Sequence, residues 1–358
     1  MRIVFDVSPL SHERTGVNNY IRGSLQGLVE VARPLGHEVV AFAPTSLRGP
    51  RMIEDALAGL DVELRLLPLP ASHAVRTLWS SAGRPPVERL LGRFDVLHFS
   101  DWMYPAQRAG VRATTIHDLV PHHHPGWTTP RTRAMHGRKY TNAAATCDVV
   151  FANSEFTADD FSSAFEYPRE HVLVAHPGVG AEYSGEGEAS DLGQPYVLTV
   201  ATLEPRKNLG TLVDAFAELR DTGLALAVAG GAGWGEQPEL DRRGIIRLGR
   251  VTDEELARLY RGAAAVVYPS RFEGFGMPIT EAMASGAPVV ASAHASMDEA
   301  AGTAAVRADP DDPAAIAAAI RTAIARRDEL RAQGLAHAAG FSWRRVGEVF
   351  LEGYERFA

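Results

Sequence analysis

The chain has 358 residues, room for two domains of ordinary size, and its 46% hydrophobic and 22% charged content is that of a globular protein. Its formal net charge of -8 splits into 18 Lys/Arg against 19 Asp/Glu in residues 1–185 and 18 against 25 in the remainder, which argues against nucleic acid as a partner. No run nears the roughly 18 consecutive apolar residues of a membrane span, and the single Cys147 has no partner for an internal disulfide, which fits a reducing cytoplasm.

In chain order, MRIVFDVSPL reads as a first core strand and not as a signal peptide, because it has no small-residue cleavage site. Strands follow at 38–43, 62–67, 95–99, 113–116, 149–152 and 172–175, with helical patterns at 17–32 and 131–145 between them. Periodicity stops in HPGVGAEYSGEGEASDLGQP, residues 176–195, which reads as a linker. Alternation then resumes with strands at 196–201, 224–229, 245–248, 264–268 and 288–291. Helices are expected at 208–220, 253–260, 278–285 and 313–332. The fold class is α/β: two Rossmann-like, doubly wound parallel sheets, with ligands at the carboxyl ends of strands and a cleft between the domains. The expected domains are 1–185, 190–340, and a final helix at 341–358.

The most informative stretch is YPSRFEGFGMPITEAMASGAPVVA, residues 268–291. A strand ends at Tyr268, a glycine loop carries Glu273 to Gly276, and Pro278 opens a helix. Glycines let a ligand approach the backbone, and the free amides of a helix N-terminus attract anions. Glu273 and Glu281 flank that site, where two carboxylates can hold the hydroxyls of a sugar and a ribose. The plainer alternative is a solvated loop charge and a carboxylate favouring the helix dipole. A second signal is VATLEPRKNL, residues 200–209, where Arg206 and Lys207 occupy a strand-to-helix turn. A guanidinium fork beside an ammonium suits two adjacent phosphates.

Glu273 and Glu281, with seven residues between them, resemble the Glu-x7-Glu motif of the retaining family-4 glycosyltransferases, which have the two-Rossmann GT-B architecture. EGFGMP and EAMASGAPVV follow the same pattern, and EPRKN resembles that family's diphosphate site. The resemblance covers nearly the whole chain, most closely 196–300, and is looser before 110. It implies that Glu273 contacts the donor sugar and Glu281 the ribose. Arg206, Lys207 and the backbone of Gly274, Phe275, Gly276 and Met277 would take the donor diphosphate. His117, after strand 113–116, would contact the sugar near the reacting centre, with Asp118 either orienting its imidazole or capping the next turn. Thr15 and Gly16 open a helix whose family counterpart closes over donor phosphates and acceptor. Here Asn18-Asn19 stand where Gly-Arg is common, which removes a cation.

Asp253 reads as the N-cap of its helix, while the family uses this neighbourhood for the base. A carboxylate there would accept from guanine, which points to a GDP-sugar as donor, and the mannosyltransferase-like resemblance favours GDP-mannose among them. The glycine run 230–235 resembles a dinucleotide fingerprint but fails its spacing, and is read as a loop lining the donor site. Adjacent rings of His122, His123 and His124 do not easily converge on one metal. Arg131, Arg133, Arg138 and Lys139 on one helix are read either as a solvated face or as a contact for an anionic membrane or lipid diphosphate. FSW at 341–343 and the helix after it resemble the family's final helix, which packs back on the first domain. The implied activity is metal-independent, retaining hexosyl transfer from a nucleotide diphosphate to a glycan or lipid-linked acceptor, with no cofactor. Rivals are an epimerase or hydrolase on the same fold, or a non-catalytic sugar-nucleotide-binding module.

Overall fold

The computed structural model describes residues 1–100, 104–231, 233 and 239–358. They form two compact units, Met1–Gly178 with Ser342–Ala358, and Val179–Phe341. The first carries seven parallel strands: β1 (Arg2–Asp6), β2 (Glu38–Thr45), β3 (Glu63–Pro68), β4 (Val96–Phe99), β5 (Val111–Ile116), β6 (Val149–Ala152) and β7 (Val172–Val174). Their spatial order is β3-β2-β1-β4-β5-β6-β7, so the winding reverses between β1 and β4. The central strands are buried throughout, as continuous apolar runs in a sheet covered on both faces require.

The last helix, Trp343–Phe357, belongs to this unit and packs on Gly16–Ala32. Glycines set that contact: a Cβ on Gly27 would lie 1.8 Å from the Trp343 carbonyl oxygen, and one on Gly347 would lie 2.2 Å from the Gly27 oxygen. At its far end Tyr354 Oη meets His98 Nδ1 at 2.6 Å, and His98 Nε2 meets Thr115 Oγ1 at 3.0 Å. Burial holds the His98 imidazole well below its usual pKa, with Lys139 and His117 adding to the effect. The ring is therefore a neutral strut.

The second unit repeats the winding with six parallel strands: β8 (Tyr196–Val200), β9 (Ala225–Ala229), β10 (Ile245–Gly249), β11 (Ala265–Tyr268), β12 (Val289–Ser292) and β13 (Ala305–Ala308). Their order is β10-β9-β8-β11-β12-β13, with the reversal between β8 and β11. In an open sheet wound this way the crevice outside the carboxyl ends of those two strands is where ligands bind. Both strands run directly into the motifs singled out above.

The structure corrects several expectations. Residues 179–185 belong to the second unit, because Tyr183 is buried in its core with its ring 5.9 Å from Tyr260. Phe341 stays there too, packed on Phe275 and His337, so the return to the first unit starts at Ser342. The helix expected over 313–332 is two helices, Pro313–Ala325 and Arg327–Ala338, broken at Arg326. β13 adds a strand the pattern did not single out. The glycine run at 230–235 falls partly on residues outside those described. Gly230 and Gly233 are described, and they press so closely on the Ala201 and Leu203 carbonyls that no side chain would fit.

Candidate functional site

β8 ends at Val200, and the chain turns through Pro205–Lys207 into the helix Leu209–Ala217. The turn is fixed from below. Asn208 adopts the left-handed conformation (φ 58°), and its side-chain amide donates to the carbonyls of Pro269 at 3.1 Å and Pro310 at 2.5 Å. Across the reversal, β11 ends at Tyr268 and its loop carries Glu273, whose backbone N–H donates to Ser296 Oγ at 3.0 Å. Ser296 Oγ in turn lies 2.9 Å from His294 Nδ1.

These two loops bring together residues that are 66 and 67 apart in sequence. Arg206 Nη1 donates to Glu273 Oε2 at 2.5 Å and Lys207 Nζ to Glu273 Oε1 at 2.7 Å. Lys207 Nζ also donates to Tyr268 Oη at 2.7 Å, and Arg206 Nε lies 2.8 Å from Glu204 Oε1. Glu273 is 6% exposed, Glu204 8% and Lys207 9%. Burial alone would raise the Glu273 carboxyl, but Arg206 and then Lys207 outweigh it and pull its pKa down to about 2. Lys207 is lowered from its usual value by burial and by Arg206, against the opposing pull of Glu273. Tyr268 is pushed well above the ordinary phenol range by burial and by Glu273, so it stays protonated. The result is two cations balanced by two carboxylates in a poorly hydrated crevice, where each charge is felt strongly.

Beyond Glu273 the loop closes on Gly276 (φ 101°), which starts the helix Met277–Ala284. Phe275 buries its ring in the core, so that it presents backbone to the loop. One turn into the helix Glu281 is 6% exposed and accepts from Tyr260 Oη at 3.3 Å. Tyr260 is pushed well above the phenol range by burial and by Glu281. Asp253 is not the N-cap of its helix. Thr252 is, through the reciprocal box in which Thr252 N donates to Glu255 Oε2 at 2.8 Å and Glu255 N to Thr252 Oγ1 at 3.2 Å. Asp253 instead accepts from Tyr183 Oη at 3.3 Å.

In the first unit, His117 is half-buried immediately after β5. Its Nδ1 meets Asn153 Nδ2 at 3.3 Å and its ring stands edge-on to Tyr20 at 5.1 Å. Asp118 does not orient the imidazole: its carboxylate accepts from Val120 N at 3.0 Å and caps the following turn. Gly16 opens its helix under a cap in which Thr15 N donates to Asn18 Oδ1 at 3.0 Å. Asn18 Nδ2 donates to Pro9 O at 3.0 Å, and Arg14 Nε donates to Asn19 Oδ1 at 2.7 Å. The Asn-Asn pair therefore organises this loop and keeps a guanidinium beside it.

Lys139 is not part of an exposed basic face. It is 1% exposed and donates to Thr115 O at 2.7 Å. The three consecutive histidines diverge: His123 pairs with Asp160 at 2.7 Å and His124 stacks on Trp127 at 3.9 Å. Among the described residues no group of three His, Cys, Asp or Glu comes together as a metal would need, and no helix is long and apolar enough to cross a membrane. Cys147 is raised to about 12 by burial, which makes it an inert thiol.

Sequence reasoning missed Glu204, Tyr268, Ser296, Tyr260 and Asn153. Glu204 and Tyr268 stood inside motifs already quoted. Asn153 follows β6, the neighbour of β5, so the parallel pairing of Ile116 with Ala152 was the signal that could have found it.

The model for glycosyltransferase family 4 matches residues 14–183, and that for glycosyl transferases group 1 matches 194–326. The O-antigen chain mannosyltransferase B of Escherichia coli is 29% identical, over 99% of this chain and all of its own length. The D-inositol 3-phosphate glycosyltransferase 1 of Catenulispora acidiphila is 32% identical, over 74% of this chain and 73% of its own. Among solved structures, HepE of Anabaena in complex with UDP-glucose aligns with a TM-score of 0.69 at 17% identity, covering 99% of this chain and 100% of that one.

Proposed function

The chain belongs to the family-4, group 1 glycosyltransferases, and from that premise we propose that it moves mannose from GDP-mannose to a glycan or lipid-linked acceptor, with retention and without a metal. The observation that carries the reading is the set Arg206, Lys207 and Glu273 at the reversal of the second sheet. An O-antigen mannosyltransferase similar over its full length supports mannose and polysaccharide synthesis, and a same-fold protein that binds UDP-glucose supports a nucleotide-sugar donor.

In this reading the departing diphosphate is received by Arg206, Lys207 and the backbone from Gly274 to Met277. Two cations already aimed at that position do the work a bound metal ion would otherwise do. Glu281 holds the ribose, Asp253 the base, and His117 and Glu273 contact the sugar. The departing oxygen takes the acceptor's proton, so no covalent sugar intermediate forms.

The test is a panel of GDP-, UDP-, ADP- and dTDP-sugars scored by thermal stabilisation, because selective binding to the folded state raises the melting point. The preferred donor is then turned over with and without EDTA, and the anomer formed is read by NMR. Stabilisation by GDP-mannose, chelator-resistant turnover and a retained anomer are expected. Donor consumption at full rate without any acceptor would turn the reading to an epimerase or hydrolase.

A further inference from the structure

β5 and β6 pair in parallel with Ile116 opposite Ala152, so the residues that leave these two strands, His117 and Asn153, come out side by side. Asn153 is 8% exposed and stands between two anchors. Ala152 O accepts from Ala175 N at 2.8 Å, and Ser154 caps the helix Glu155–Phe165 by accepting from Thr157 N at 3.0 Å. The His117 ring stands edge-on to Tyr20, which is itself buried with its hydroxyl donating to Ala175 O at 3.1 Å.

The His117 carbonyl decides which way the Asn153 amide points. Nδ2 lies 3.4 Å from His117 O and 3.3 Å from His117 Nδ1. Turned around, the amide would set Oδ1 against that carbonyl oxygen, two acceptors with no proton between them. The amide nitrogen therefore faces His117, and it can only donate. A ring nitrogen met by an N–H must supply a lone pair, so Nδ1 carries no proton and the imidazole proton sits on Nε2. Both hydrogen bonds of the Asn153 side chain go to His117, while its Oδ1 is buried and among the described residues accepts none. An orphaned buried acceptor costs stability, which an aliphatic side chain of the same size would avoid. Packing alone does not account for an amide at this position.

We propose that Asn153 is a positioning residue which fixes His117 as the Nε2–H tautomer, so that the imidazole presents a hydrogen-bond donor and not a base. The tautomer stands on the two hydrogen bonds. Its action on a sugar rests on the transferase reading, in which His117 contacts the donor sugar. Such a ring donates from Nε2 to a sugar oxygen but has no lone pair there to take a proton. The acceptor oxygen forms its bond to the sugar as the bond to the diphosphate breaks, and its proton passes to the departing diphosphate oxygen.

Long-range proton–nitrogen NMR of the full chain labelled with ¹⁵N-histidine tests the tautomer at neutral pH, the His117 signals being identified by their loss in His117→Gln. An unprotonated Nδ1 beside a protonated Nε2 is expected. A proton on Nδ1, in the other tautomer or in the cation, overturns the proposal. Asn153→Asp, whose ionised side chain can only accept, should put a proton on Nδ1; an unchanged spectrum would mean that Asn153 does not set the tautomer. Asn153→Leu separates positioning from support of the fold. It removes the donor and the orphaned acceptor together, so the melting temperature should hold or rise while both His117 nitrogens take averaged, intermediate shifts. With the preferred donor of the panel above, kcat should fall by about fivefold or more, the scale of one lost hydrogen bond, and GDP and UDP affinity should stay unchanged. A full kcat in Asn153→Leu despite intermediate shifts, or a matched loss of nucleotide affinity, overturns the positioning role. If the tautomer is found as stated but the unmodified chain turns over no nucleotide-sugar, the transferase reading fails and the fixed tautomer survives.

Discussion

Where the winding of the first sheet reverses, between β1 and β4, the fully buried carboxylate of Asp6 accepts from Ser8 N at 2.9 Å, Ser100 N at 3.1 Å and Ser100 Oγ at 2.7 Å. At the matching place in the second sheet, the buried carboxylate of Glu273 instead holds a guanidinium and an ammonium. One topology, then, puts a carboxylate at both reversals with different partners. Neutral donors consume the Asp6 charge in fastening two loops, so that carboxylate has become structure. Glu273 holds Arg206 and Lys207 in place by ion pairs, and in the proposed function an anion takes over what the carboxylate holds. Measured against apolar residues of the same volume, a buried ion pair adds little stability once desolvation is counted, although removing one partner alone is costly. Its value here lies in presetting the two cations.

The largest expected effect breaks that comparison at Glu273. Glu273→Gln should lower transfer by on the order of 10²-fold or more, since it removes a charge from a closed site. Affinity for free GDP or UDP should hold or rise, because the carboxylate no longer competes for the cations. Parallel measurement of turnover and nucleotide affinity checks this, and a matched fall in both would mean that Glu273 supports binding alone. Next in size, Arg206→Ala or Lys207→Ala should cost about 1.5–3 kcal/mol of diphosphate affinity, the range for hydrogen bonds to charged groups. By contrast, Asp6→Asn should leave nucleotide affinity untouched and destabilise the fold by about 1–3 kcal/mol, because its amide offers a donor where donors already converge. Calorimetry with urea unfolding separates the two outcomes, and weaker nucleotide binding in Asp6→Asn would erase the distinction.

Acid should expose the same contrast. Glu273 ionises at about 2 in the folded chain and at its ordinary 4.5 when unfolded, so its stabilisation is complete above pH 4.5 and is lost as pH falls toward 2. The whole effect is on the order of 3 kcal/mol. Urea midpoints of the unmodified chain and of Glu273→Gln should therefore draw together only below about pH 4.5. A constant gap down to pH 3 would show that the two cations do not hold the carboxylate ionised.

The sequence made the strands legible because a parallel sheet buried on both faces needs continuous apolar runs, and all seven expected in the first half are present. β13 was harder, since its AVRA is a half-buried edge strand carrying Arg307, without the apolar run of a central strand. At the site, the motifs around Arg206 and Glu273 were readable, but their contact was not. No local spacing encodes a bond between loops 66 residues apart; only the strand order, β8 beside β11, makes them neighbours. Lys139 was misjudged for a geometric reason: it sits one residue past Arg138, about 100° further round the helix, which turns it from solvent to core. Asp253 was misassigned although TDEE held the answer, because Thr followed three residues later by Glu is the stronger cap signature.

The smallest expected effect concerns Asp253, whose carboxylate, proposed to contact the base, accepts a long hydrogen bond from Tyr183. Tyr183 is buried and otherwise packs against Tyr260, so Tyr183→Phe keeps the ring contact and removes only the hydroxyl. A bond from an uncharged phenol to this carboxylate is weakened by its 3.3 Å length, and losing it should cost no more than about 1 kcal/mol. That cost should fall on one nucleotide. If Asp253 accepts from the guanine ring N–H and amino group, a freer carboxylate weakens GDP by up to about fivefold and leaves UDP unchanged, since uracil offers no such pair of donors. Calorimetric affinities of both nucleotides for the unmodified chain and for Tyr183→Phe decide it. An equal loss for GDP and UDP would place the effect on the ribose side, through Tyr260 and Glu281, and would remove Asp253 from base recognition.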